Sequence, residues 1–120
     1  MPQSQMLKML PPEIARHSIS HREIVLPFDA AIAAVDWCAI NQIPILGWEG
    51  WIRSADGRVG HGNAQQGTTS LEGLSVRDAA DFCRRTICAA ALDWTKMHPE
   101  TTDRLHFCIT VDATGVAERS

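Results

Sequence analysis

Apolar and polar residues alternate along some stretches of the chain with the period of a strand, and recur along others with the period of a helix. Residues 104–112 are the clearest strand. Leu105, Phe107, Ile109 and Val111 fall on one face, and His106, Cys108 and Thr110 on the other, so period two predicts a strand with one buried face. Residues 75–97 are the clearest helix. Val76, Ala79, Ala80, Cys83, Ile87, Ala90, Ala91 and Trp94 form an apolar stripe, with Asp78, Asp81, Arg84, Arg85 and Asp93 mostly off it. Ser75 ahead of Asp78 resembles a capping box in which Asp replaces the usual Glu or Gln, and His98-Pro99 supplies the stop.

An earlier helical window opens at Phe28. There Phe28, Ala31, Ile32, Val35, Cys38, Ala39 and Gln42 share a face, and Pro44 requires a stop near Asn41 or Gln42. Trp37 lies off this stripe, beside Ala30, Ala33 and Ala34, and is expected to pack on the sheet edge or the N-terminal segment. Before this window, Glu23-Ile24-Val25-Leu26 ends at Pro27 and suits a short strand. Residues 43–53 form an extended run. Alternation places Ile45, Gly47, Glu49 and Trp51 on one face and Leu46, Trp48, Gly50 and Ile52 on the other. Ser54-Ala55-Asp56-Gly57 reads as a hairpin turn, with Gly57 supplying positive φ, and residues 58–61 begin the return strand.

Periodicity disappears over residues 62–74; a connection of that length is either functional or a plain surface loop. Residues 1–20 read as a lead-in with one helical turn near 13–17, and residues 113–120 as a frayed polar tail. The order is strand, helix, strand, strand, helix, strand. It predicts one α+β domain across residues 1–120: a two-layer structure with an antiparallel sheet of three to four strands covered by two helices, compatible with a split β-α-β layout.

Composition narrows the chemistry. The 120 residues are 45% apolar and 21% charged, ordinary for a globular chain, and the net charge is −3. There is no basic stripe to neutralise phosphates, which argues against a nucleic-acid partner. No window approaches the roughly 18 apolar residues of a membrane span, and residues 1–10 lack the pattern of a secretory signal, so a cytoplasmic location is expected. Cys38, Cys83, Cys88 and Cys108 contain no C-x-x-C pair, and reduced, buried thiols are expected. His17 and His21 have i, i+4 spacing on a poor helix, without the Glu that a metalloprotease motif places beside the first histidine. No Gly-x-Ser-x-Gly elbow occurs, and Gly57-Arg58-Val59-Gly60-His61-Gly62 is not followed by the Lys-Ser or Lys-Thr of a phosphate loop. Neither a metal nor a cofactor is expected.

What stands out is Leu46-Gly47-Trp48-Glu49-Gly50-Trp51-Ile52 followed by Asp56-Gly57-Arg58-Val59-Gly60-His61. Aromatic and arginine side chains dominate protein–protein binding energies, so the cluster suits a recognition surface or a small active site. Together with Leu26-Pro27-Phe28, Gln66-Gly67-Thr68, Phe82-Cys83-Arg84-Arg85-Thr86-Ile87 and Phe107-Cys108-Ile109-Thr110-Val111, it resembles the immunity proteins of bacterial polymorphic toxin systems. More specifically, it resembles a small family marked by a Gly-Trp-Glu-Gly-Trp strand. The resemblance covers roughly residues 24–112. It implies a cytoplasmic antidote without catalytic residues, which binds and blocks a cognate toxin, often one delivered by contact-dependent or type VI secretion. The candidate toxin-binding residues are Trp48, Glu49, Trp51, Asp56, Arg58, His61 and Gln66, although one of the two tryptophans is expected in the core. Pairing of Glu49 with Arg58 to hold the hairpin register is the alternative role for those two charges. The helix face carrying Asp81, Arg84 and Arg85 is the next candidate interface. The alternative function is a small-molecule binding module or small enzyme using a pocket of Glu49, Arg58 and His61. Homo-oligomerisation is left open.

Overall fold

The computed structural model describes residues 5–60, 71 and 73–112. Its elements are α1 (Gln5–Met9), α2 (Pro12–Ala15), β1 (Ile24–Leu26), α3 (Phe28–Ile40), β2 (Ile45–Arg53), β3 (Val59–Gly60), α4 (Val76–Met97) and β4 (Arg104–Val111). The four strands form one antiparallel sheet in the order β1-β4-β2-β3, with α3 and α4 packed on it. This is the expected two-layer α+β class. β1 and β2 run parallel on either side of β4 and are joined through α3. Likewise β3 and β4 flank β2 and are joined through α4, so the chain contains two split β-α-β units.

Local chemistry accounts for the element boundaries. Ser75 Oγ accepts from the Asp78 N–H at 3.0 Å and caps α4. α3 closes differently. Gln42 takes a left-handed φ of 59° while the Gln42 N–H bonds the Ala39 carbonyl and the Ile43 N–H bonds the Cys38 carbonyl. This is a Schellman closure without glycine, fastened by the buried side chain of Ile43. At the hairpin tip Gly57 has φ 91°, as its turn requires, and the Ser54 N–H bonds the Arg58 carbonyl at 2.8 Å.

The core lies between the helices and one face of the sheet. Ile24, Leu26, Ile45, Trp48, Phe107, Ile109 and Val111 meet Ala31, Ala34, Val35 and Cys38 of α3 and Ala79, Ala80, Cys83 and Ile87 of α4. Alanines and cysteines at the α3–α4 contact let the two helices approach each other and the sheet closely.

Three expectations need correction. The N-terminal lead-in forms two short helices, and Leu7, Ala15 and the intervening Leu10 are buried in the core. The buried face of α3 is broader than the expected stripe. Ala30 and Ala34 are buried beside Ala31, Val35 and Cys38, and Phe28 stays 37% exposed at the helix start, because α3 is packed by α2, α4 and the sheet together. Finally, Ile45 does not share a face with Glu49 and Trp51. The β2–β4 register slips between Ile45 and Gly47, and the bulge at Leu46 turns Ile45 to the helix side.

Candidate functional site

β2 and β4 pair along their whole length, and this register sorts the motif residues. Trp48 lies opposite Ile109 and Ile52 opposite Leu105, on the face covered by helices, whereas Glu49 lies opposite Cys108, Trp51 opposite His106 and Arg53 opposite Arg104, on the other face. Trp48 is therefore a core residue, 4% exposed, and leaves the set of toxin-binding candidates. Its ring meets Phe107 edge-on at 5.3 Å, and its indole N–H donates to Thr86 Oγ1 at 2.9 Å. The Thr86 hydroxyl in turn donates to the Phe82 carbonyl at 2.9 Å, so the indole N–H is satisfied by a side chain that α4 holds in place.

Trp51 and Glu49 are half-buried on the face away from the helices, where Trp51 Nε1 donates to Glu49 Oε1 at 3.3 Å. Val25, His106 and Cys108 on the same face are buried. Asp56 and Arg58 stand at the hairpin tip, both exposed. Arg58 Nε pairs with Asp56 Oδ2 at 2.8 Å, and Asp56 Oδ1 accepts from the Arg58 N–H at 3.1 Å. Arg58 thus pairs with Asp56 rather than Glu49. His61 and Gln66, with most of the 62–74 connection, lie outside the described residues.

The helix face named as the next candidate keeps Asp81 and Arg85 exposed, with its charges paired among themselves and with α3. Arg84 pairs with Asp36 and so joins α4 to α3, while the pairs of Arg84 and Arg85 with Asp81 lie within α4.

Titratable groups inside the fold are quiet ones. Burial pushes the thiols of Cys38 and Cys108 up to about 12 and that of Cys83 to about 11; Cys83 adds to the effect on Cys38, and the carboxylates of Glu23 and Glu49 to that on Cys108. All three stay protonated near neutral pH, which disables a thiol as nucleophile or ligand. His106 is displaced downward, chiefly by burial and also by the charge of Arg53, against the opposing effect of its contact with the Arg104 carbonyl. Among the described residues no group of three or more His, Cys, Asp or Glu side chains is placed to hold a metal, and no helix is long and apolar enough to cross a membrane. Comparison with family models, curated proteins and solved structures finds no match.

Sequence reasoning missed one feature. Two adjoining hollows, of about 730 and 420 Å³, lie where the end of α4 meets the β2–β3 hairpin, and both are bordered by Ser54, Trp94, His98, Thr101 and Asp103. Arg58 borders the smaller one and Glu49 borders neither, so neither of these two hollows joins Glu49 to Arg58. The only hint in the sequence was Trp94 and His98 at i, i+4, a spacing that puts two rings together at a helix end without saying what they face.

Proposed function

We propose that this protein is a cytoplasmic immunity protein that binds a cognate bacterial toxin and neutralises it without catalysis. Such a toxin is an effector of contact-dependent or type VI secretion. The observation that carries the reading is the hairpin tip: Asp56 and Arg58 are exposed, and among the described residues their charged side chains pair only within the tip itself. An exposed ion pair contributes little to stability, so the fold does not require these charges, whereas charges at an interface rim steer and select a partner. Trp51 and Glu49 lie on the same strand, away from the helix layer, and offer an aromatic anchor beside a carboxylate. The protonated thiols and the downshifted His106 suit a scaffold better than a reaction centre. The resemblance of the Gly-Trp-Glu-Gly-Trp strand and the Asp-Gly-Arg-x-Gly-His turn to immunity proteins supplies the partner class.

The test is co-expression with the toxin domain encoded beside this gene, scored by survival and co-purification. The parent chain should protect and co-purify. Asp56→Ala, Arg58→Ala and Trp51→Ala variants with unchanged melting should weaken both. A parent chain that neither protects against nor binds a neighbouring toxin would sink the proposal; folded variants that all protect fully would move the interface off the hairpin.

A further inference from the structure

Two positions just past the β2–β4 ladder project toward the end of α4. Arg53 and Arg104 are the last pair of that ladder and turn to the face away from the helices. Ser54 and Asp103, one residue outside each strand, take the parity of Ile52 and Leu105 on the helix side. The same side carries Trp94 and His98, whose rings lie 4.2 Å apart at the C-terminal end of α4. All four residues border both hollows, and Leu105 and Phe107 add apolar side chains to the larger one. At about 730 and 420 Å³ the hollows fall within the range of small-molecule sites, which are mostly apolar with a few placed polar groups.

The protein itself makes no use of the polar groups around this space. Among the described residues the half-buried Asp103 carboxylate has neither an ion pair nor a hydrogen bond, although its backbone N–H donates to Thr101 Oγ1 at 3.1 Å and holds the segment in place. The Trp94 indole N–H, the His98 ring nitrogens and the Ser54 hydroxyl, also half-buried, have no hydrogen bond among those residues. A carboxylate with both oxygens unclaimed accepts two parallel N–H donors, and an aromatic pair beside it offers a face to a flat ring. A cationic ligand is opposed there, because Arg104 adjoins Asp103 and Arg53 lies across the ladder from Arg104. A neutral heterocycle with two adjacent N–H donors on one edge meets both requirements, and the Watson–Crick edge of guanine has that form. Nucleobases also stack on aromatic side chains whatever their sequence context.

We propose that this space binds guanine as the free base or nucleoside, its N1–H and 2-amino group donating to Asp103 and its ring lying against Trp94 and His98. The site does not rest on toxin recognition at the hairpin tip, and its test needs no toxin. The probe is guanosine, titrated into the isotope-labelled chain and followed by amide and indole resonances. Saturable shifts should centre on the Trp94 indole N–H and on the amides of residues 101–105. Inosine, which lacks the 2-amino donor, should bind about tenfold more weakly, and adenosine, which turns a ring acceptor toward the carboxylate, more weakly still. Asp103→Asn, checked for unchanged melting, should weaken guanosine about tenfold and erase its advantage over inosine. Asp93→Asn, which removes an exposed carboxylate of α4 that borders neither hollow, should leave both affinities unchanged. The proposal is overturned by an absence of saturable shifts, by shifts centred elsewhere, by inosine or adenosine binding the parent chain as tightly as guanosine, or by a folded Asp103→Asn protein that keeps the parent's preference. A guanine-containing oligonucleotide that binds more tightly than guanosine also overturns it, since the ligand is then a nucleic acid.

Discussion

Replacing Thr86 by Val tests the assignment of Trp48 to the core. The swap keeps the shape of the side chain and removes the oxygen that accepts the Trp48 indole N–H at 2.9 Å. Trp48 is 4% exposed, so the N–H loses its partner in a place water barely reaches. A buried donor left unsatisfied costs about 1–3 kcal/mol. Thr86 itself is half-buried, which allows partial rehydration and points to about 1–2 kcal/mol. For a chain of this length that is a drop in Tm on the order of 3–10 °C. Trp48→Phe removes the donor instead. It keeps an edge contact with Phe107 and leaves a void, at a cost of about 1–3 kcal/mol. With no donor left to orphan, adding Thr86→Val to Trp48→Phe should cost only a few tenths of a kcal/mol, giving a coupling of about 1 kcal/mol. Urea denaturation of the four proteins measures it. If Thr86→Val costs the same in both backgrounds, the hydrogen bond contributes nothing and the core placement of the indole is wrong. Under the proposed toxin-binding role, the Thr86→Val protein well below its Tm should protect as well as the parent, because Trp48 is buried in the core.

Alkylation of the native protein by iodoacetamide should label Cys88 alone, since it is exposed while Cys38, Cys83 and Cys108 are buried with raised pKa values; intact-mass measurement should then find three more labels after unfolding, and fast native labelling of a second thiol would refute the packing. His106 gives a pH dependence of definite sign. Its folded pKa lies below the unfolded value of about 6.5, so the stability it contributes is complete above that value and is lost as pH falls through the folded pKa. His106→Gln should therefore flatten the decline of Tm between about pH 7 and pH 5, and a variant with the parent's slope would show that His106 is not the titrating group.

Several features were legible because local chemistry decides them. The alternation of residues 105–111 made β4, the capping hydroxyl of Ser75 and the apolar stripe behind it made α4, and the need for positive φ at Gly57 made the turn. Period two also shows that Glu49 and Trp51 share one face and Trp48 the other. It does not say which face the helices will cover, and so which tryptophan becomes core. That choice followed from β4 entering between β1 and β2, a pairing between residues some sixty positions apart. The bulge at Leu46 moved Ile45 across the sheet for the same reason, because register is a property of two strands together. Leu7 and Leu10 look like scattered apolar residues until α3 and the sheet are there to bury them. Arg53 and Arg104 lie far apart along the chain, and only the register sets them side by side. Local periodicity determines which side chains share a face; only tertiary pairing determines what that face meets, because the burial that separates core from site is created by contacts distant in sequence.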